Sequence, residues 1–372
     1  MDLKKSSYIS ERIYGKDNKV VCDEKVIEYW KKVIGEEEYK NIMYTYQIDE
    51  NKLLFSKDYT IDNYTFKALK ELESISQMYA NRKGQKIDIQ NFFDKQLVFE
   101  NFFTPFIKLG LYILREKNSD SIENCFEKSF ATSLLERLSR VSLSTLIFEM
   151  YLNKEEGNLK GKNSREEYIY YNDKLLNENT YISSLFEIYP CWERLIYENI
   201  YYLTKSYSML IQRLKNDHLS IVKILCDGVE FYRPVEIKTS ISDSHKEGET
   251  VAIISLDNGK KIVYKPRSLK AEKAYQNFVS ELSSKLAIKL KSIMVLDYKQ
   301  YGWEEYIEAK SCSTLIELKR YYYRFGVLIF VNYILNANDL HVENVIAMGE
   351  YPMVVDAETI LDNKRDIDEE TA

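Results

Sequence analysis

The absences in this sequence narrow the field before any motif does. There is no C-x-x-C pair, and the five cysteines, Cys22, Cys125, Cys191, Cys226 and Cys312, are odd in number and widely scattered. That spacing argues against a zinc ribbon and a disulfide framework and points to a reducing cytoplasm. No run of about 18 apolar residues occurs, so no membrane span is predicted. The most apolar run, Gly326 to Leu335, is too short to cross and reads as a buried helix. The N-terminus, MDLKKSSYISERIYG, has positive charges with no apolar segment behind them, which excludes a secretory signal. A basic surplus is also missing. The formal net charge is −6, which speaks against a nucleic-acid partner. Neither G-x-x-x-x-G-K-[ST] nor G-x-S-x-G is present, so a Walker-type ATPase and a serine hydrolase lose support.

What remains is the composition of a soluble globular chain of 372 residues, 45% apolar and 30% charged, long enough for one large domain or two to three smaller ones. The 31 tyrosines have two readings, nucleotide bias in the source genome or an aromatic recognition surface. Residues 1–220 read as helical. Val26, Ile27, Trp30 and Ile34 form one stripe, and Phe66, Leu69, Leu72, Ile75 and Met78 another. Phe99 to Leu114 is strongly apolar and carries Pro105 near its start, which a first helical turn tolerates. Ser119 to Leu152 is periodic and predicts one bent helix or two. Asn153 to Asn177 is polar with two glycines and reads as an exposed loop or linker. Helical patterning resumes over Tyr181 to Tyr189, breaks at Pro190, and continues from Cys191 to about Lys215.

The pattern changes near Ile221. Short β-branched or alternating runs predict strands at Val222 to Leu225, Val251 to Leu256 and Lys261 to Tyr264. Asp257-Asn258-Gly259 between the last two is a strong hairpin signal. A helix over Leu269 to Ala287, strands at Ile293 to Leu296 and Glu304 to Ile307, and a helix over Ser313 to Leu335 follow. Two short strands close the series, Val345 to Ala347 and Met353 to Val355. The fold class is therefore read as α+β: a helical region over 1–220, then a kinase-like, two-lobed core over 221–372.

The chemistry concentrates in NDLHVENVIAMGEYPMVVDAETI, residues 338–360. Asp339 and Asn344 stand five residues apart, the offset at which protein kinases place a catalytic Asp and a metal-binding Asn. Asp356 follows a hairpin, as a second metal-binding Asp does there. Asp339 is the candidate that orients or deprotonates a nucleophile. Asn344 and Asp356 are candidate Mg²⁺ ligands, because a hard cation takes oxygen donors. Glu358 would share the face of Asp356 on extended backbone, and His341 lies between Asp339 and Asn344. The plainer alternative is a polar helix cap. Lys265 ends a strand before a helix, the placement of the phosphate-contacting strand lysine; the alternative is an ordinary exposed charge. A second polar loop, SISDSHKEG at 240–248, carries Asp243 and His245, and histidine exchanges protons near neutrality. It also reads as a plain solvent loop.

SDSHKEGETVAIISLDNGKKIVYKPRSL, then WEEYIE, then DLHVENVIAMGEYPMVVDAET resemble the dehydratase domain of class II lanthipeptide synthetases. YKPR and the DLHxEN…GEYPxxxDxET segment are the most specific parts. The resemblance implies a core similar to lipid kinases, with added helices. It implies ATP and Mg²⁺ as cofactors and a ribosomal precursor peptide, leader and core, as partner. Its Ser and Thr would be phosphorylated and then lose phosphate. On that pattern Lys265 contacts ATP phosphates, and Asp339, His341 and Asn344 form the catalytic loop. Asp356 and Glu358 serve the metal and the transfer step, and Asp243 and His245 match a D-x-H loop tied to elimination. Members of that family continue well past the position of Ala372, into an Arg and Thr used in elimination and a zinc cyclase. The expectation is thus a truncated C-lobe with exposed core surface, low stability, or a second chain supplying the rest. Two other readings stand beside this one: an independent kinase-like phosphotransferase, and an inactive fragment or precursor-binding module.

Overall fold

A computed structural model describes residues 31–32, 35–45, 63–93, 96–118, 122–239, 249–286, 288–337, 341, 344–357 and 359–360. The chain is α+β. Helices dominate the first part, and a five-stranded and a two-stranded antiparallel sheet follow. It divides into two units. The first comprises Met1–Ser119 and Phe130–Lys205, the second Asp120–Ser129 and Ser206–Ala372.

The first unit contains α1 (Glu36–Thr45), α2 (Asn63–Ala80), α3 (Glu100–Lys117), most of α4 (Asn124–Glu155), α5 (Ser164–Tyr170), α6 (Asn179–Ile188) and the start of α7 (Pro190–Leu225). Its core is aromatic. Phe102, Phe103, Phe106 and Ile107 of α3 are almost wholly buried. Phe102 stacks on Trp192 at 5.2 Å between ring centres, and Phe106 on Tyr79 at 4.6 Å. Ring pairs of this kind add to the burial of large apolar area. The Trp192 indole N–H donates to Ser142 Oγ at 3.0 Å, so the buried ring leaves no polar atom stranded.

Several sequence expectations change here. Pro105 is the sixth residue of α3, one turn deeper than expected, because the helix starts at Glu100 after Phe99, which adopts φ 51°. Residues 119–152 give one helix from Asn124. The expected loop over 153–177 contains α5, whose start is fixed by Asn163: its side chain accepts from the backbone N–H groups of Arg165 and Glu166. This satisfies two of the orphan donors of a helix start. Val222 to Leu225, expected as a strand, is the last turn of α7. The β-branched signal there yields to the apolar stripe of a long helix.

The second unit holds β1 (Pro234–Lys238), β2 (Ala252–Leu256), β3 (Lys261–Lys265), α8 (Lys270–Lys285), β4 (Val295–Asp297), β5 (Gly302–Glu305), α9 (Leu315–Ile334), β6 (Val345–Met348) and β7 (Tyr351–Val354). The larger sheet runs β1-β2-β3-β5-β4. Gly259 at φ 80° turns the β2–β3 hairpin where the Asn-Gly signal placed it. Trp303 of β5 is fully buried and donates to Asp217 of α7 at 2.8 Å. Arg213, one turn earlier on α7, lies 4.1 Å over the ring of Tyr301 and donates to the Tyr264 hydroxyl.

Val354 of the smaller sheet, β6–β7, and Ala357 beyond its end join a cluster with Tyr275 and Val279 of α8 and Leu328 and Val331 of α9. Thr314 caps α9 by accepting from the backbone N–H of Glu317, whose carboxylate accepts in return from the Ser313 backbone N–H. The opposite side of α9 is apolar and exposed, with Leu315, Tyr322, Tyr323, Phe330, Tyr333 and Ile334 open to solvent, so the run from Gly326 to Leu335, expected as a buried helix, is buried on one side alone, through Leu328 and Val331. No helix among the described residues is long and apolar enough to cross a membrane.

Candidate active site

The site forms where the end of β3 meets the end of β7. Alternation along β3 turns Ile262 and Tyr264 into the core, with Lys265 at the strand's end. Pro266 restricts Lys265 to extended backbone, so the strand geometry holds to its last residue. Lys265 is only 5% exposed. A buried ammonium needs partners, because its desolvation is costly otherwise. It has them: Nζ donates to the Val355 carbonyl at 2.9 Å and lies 3.1 Å from Glu304 Oε2. Asp356 Oδ2 is 3.8 Å away, within Coulombic reach but too far for a good hydrogen bond. The lysine thus ties the five-stranded sheet to the β6–β7 hairpin.

Glu304 comes from β5, the strand hydrogen-bonded to β3, and is almost wholly buried. Burial pushes its carboxyl up to about 7, with Glu272 and Asp356 adding to the rise and the Lys265 ammonium opposing it. Across from Lys265 in the register stands Gly302. A Cβ there would sit 2.5 Å from Leu269 Cδ1 and 2.5 Å from the Leu296 carbonyl oxygen, so only glycine fits.

Arg267 extends the network. Its guanidinium donates to Glu272 in the first turn of α8 and, through its other arm, to Asp356 Oδ1 at 3.0 Å. Glu272 is buried, and its Oε2 has no hydrogen-bond partner among the described residues. Gln276, one turn on, donates to the Val354 carbonyl at 3.0 Å and accepts from the Ile293 N–H at 2.8 Å. Helix α8 is therefore pinned to β7 just before Asp356.

The hairpin brings Asn344 and Asp356 together. Val345 pairs with Val354, and the Val355 N–H donates to the Asn344 carbonyl at 3.0 Å. These two residues flank the open end of the β6–β7 ladder. His341 Nε2 lies 3.3 Å from Asn344 Nδ2, and the Asn344 N–H donates to the His341 carbonyl at 3.0 Å, a tight turn. Lys265, Asn344 and Asp356 thus share one site, and His341 borders it. Asp339, Glu358, Asp243 and His245 lie outside the described residues.

Among the described residues no group of three or more His, Cys, Asp and Glu is arranged to hold a metal. The donors present nevertheless suit Mg²⁺. The Asp356 carboxylate and Asn344 amide are hard oxygen donors beside a cation. Mg²⁺ is ordinarily held by one or two protein carboxylates together with substrate phosphates, without a full protein cage. Lys265 supplies positive charge of the kind that phosphates require.

Sequence reasoning did not single out Glu304, Arg267 or Glu272. Arg267 sits within the quoted YKPR segment and Glu304 within WEEYIE. The detectable signal was a carboxylate directly after a tryptophan in a strand. Its pairing with Lys265 depends on strand order, which no local pattern encodes.

Over 226 residues the chain is 28% identical to the lacticin 481/lactococcin biosynthesis protein LcnDR2 of Lactococcus lactis subsp. lactis. That match covers 58% of this chain and 24% of the relative, so the chain corresponds to about a quarter of that protein's length. Residues 189–372, which carry Lys265, Asn344 and Asp356, match the family model described as a domain of unknown function, DUF4135.

Proposed function

We propose that this chain acts in lanthipeptide biosynthesis as an ATP- and Mg²⁺-dependent, kinase-like enzyme. It would phosphorylate Ser and Thr of a ribosomal precursor peptide as the first half of their dehydration. The observation that carries the reading is the buried Lys265 bound between Glu304 and the β7 end, beside Asp356 and Asn344. The likeness to the LcnDR2 protein supports the pathway assignment.

In this reading Lys265 receives the nucleotide phosphates. Asp356 and Asn344 offer oxygens to Mg²⁺, which neutralises charge on the phosphates when bound. Asp339 would orient the attacking hydroxyl, with His341 in the same loop, and Glu358 would serve the metal and the transfer step. Asp243 and His245 serve the later elimination of phosphate. The two-lobed arrangement expected from the sequence would be supplied by the five-stranded sheet with α8 on one side and by α9 with the β6–β7 hairpin on the other.

The test is incubation with ATP, Mg²⁺ and a lanthipeptide precursor, followed by mass spectrometry. The expected result is a gain of phosphate on the peptide, or a loss of water where elimination follows. A peptide of unchanged mass, together with no nucleotide binding by the chain, refutes the proposal.

A further inference from the structure

Protein kinases couple the strand lysine to a glutamate on the neighbouring helix. In this chain the connections are exchanged. Lys265 pairs with Glu304 of the adjacent strand, and the helix carboxylate, Glu272, pairs with Arg267. Arg267 then reaches Asp356. The guanidinium is planar and its donors are fixed in a fork, so two carboxylates bound to its two arms are fixed relative to one another. Glu272 is 2% exposed and sits in the first turn of a helix pinned by Gln276, so it is the immobile end of that chain. Asp356, at 29% exposure, is the accessible end.

The geometry points to Arg267 and Glu272 as positioning residues that set how Asp356 is presented to a metal. This inference rests on the Mg²⁺–nucleotide reading given above. With Oδ1 held by Arg267, the carboxylate turns Oδ2 toward Lys265, 3.8 Å away. It therefore offers Mg²⁺ one oxygen in a fixed direction. Among the described residues the one ion pair of Glu272 is with that guanidinium. Partners that orient a metal ligand from behind typically change metal affinity about 10–100-fold when removed.

Two variants separate this role from direct phosphate binding by Arg267. Arg267→Lys keeps the charge and loses the fork. Glu272→Gln keeps the shape and loses the anchor on a side chain that is only 2% exposed. Mn²⁺ serves as the metal probe, with binding read by electron paramagnetic resonance in the presence of a non-hydrolysable ATP analogue. Binding of the same analogue without metal is measured by calorimetry, and thermal melting confirms folding. Both variants are expected to weaken Mn²⁺ binding about tenfold or more and to leave metal-free nucleotide binding within about twofold. Their double variant should be no weaker than the worse single one, because the two residues act in series. Two results overturn the inference while leaving the Mg²⁺–nucleotide reading intact: unchanged Mn²⁺ binding in Glu272→Gln, or a loss in Arg267→Lys confined to metal-free nucleotide binding. If the unaltered chain binds neither Mn²⁺ nor the analogue, the underlying reading falls, and this inference with it.

Discussion

Replacing Lys265 with methionine should destabilise the chain by an amount that grows with pH. Two costs are involved. One does not depend on pH: the buried Val355 carbonyl loses its donor, a loss of about 1–3 kcal/mol for an unsatisfied group. The other belongs to Glu304. Its folded value, about 7, is raised above the ordinary carboxylate range, which lies near 4.3 when unfolded. A raised folded value means that the proton stabilises the fold. That contribution is complete below about pH 4 and is lost as pH rises toward 7. In the wild type the loss levels off above 7, because the ammonium at 3.1 Å accepts the carboxylate. Without Lys265 the folded value climbs further, and the loss continues. The two stability curves should run parallel from about pH 5 to 6, offset by the pH-independent cost, and separate further above 7. At pH 8, one unit past the wild-type value, the gap is limited to roughly 1–2 kcal/mol however high the variant's value goes. Urea melts followed by circular dichroism at pH 6 and pH 8 measure it. The double variant Lys265→Met/Glu304→Gln should lose the pH-dependent part. Equal destabilisation at both pH values would show that Glu304 is not the titrating partner.

Gly302→Ala should cost about 1–3 kcal/mol, since the added methyl meets a backbone carbonyl and Leu269 at 2.5 Å and forces the strand away. An unchanged melting temperature would refute the close approach. Asn163→Ala should lose about 1 kcal/mol through the cap of α5. Urea midpoints of the two proteins that coincide would refute that cap.

The parts of this fold that were legible in the sequence are those with local causes. The β2–β3 hairpin was readable because alternation and Asn258-Gly259 agree. Helices α8 and α9 were readable from their apolar spacing, and Asn344 and Asp356 from their positions about a hairpin. Strand β1 was missed, since it opens on a proline and lies at a sheet edge, where its outward side chains stay exposed. Helix α5 was missed because glycines and charges outweighed a readable cap, Asn163 with Glu166 three residues on. Glu304 was beyond reach for another reason. Its role follows from β5 lying beside β3, two strands separated in sequence by a helix and a third strand. Burial has the same origin: Lys265 reads as a surface charge until the strands that enclose it are in place.

The enclosure of two tryptophans has an optical consequence. Trp192 belongs to the first unit and Trp303 to the second, and both indoles are shielded from water with the N–H bonded to a side-chain oxygen. An indole in such surroundings emits at shorter wavelength than one in water, and its emission moves to the red when its own surroundings open. Each unit thus carries its own built-in lamp. A chain that keeps only Trp192 or only Trp303, with Trp30 and the other replaced by phenylalanine, would report the loosening of that unit alone, and the two colours of fading would tell whether the units melt together or one after the other.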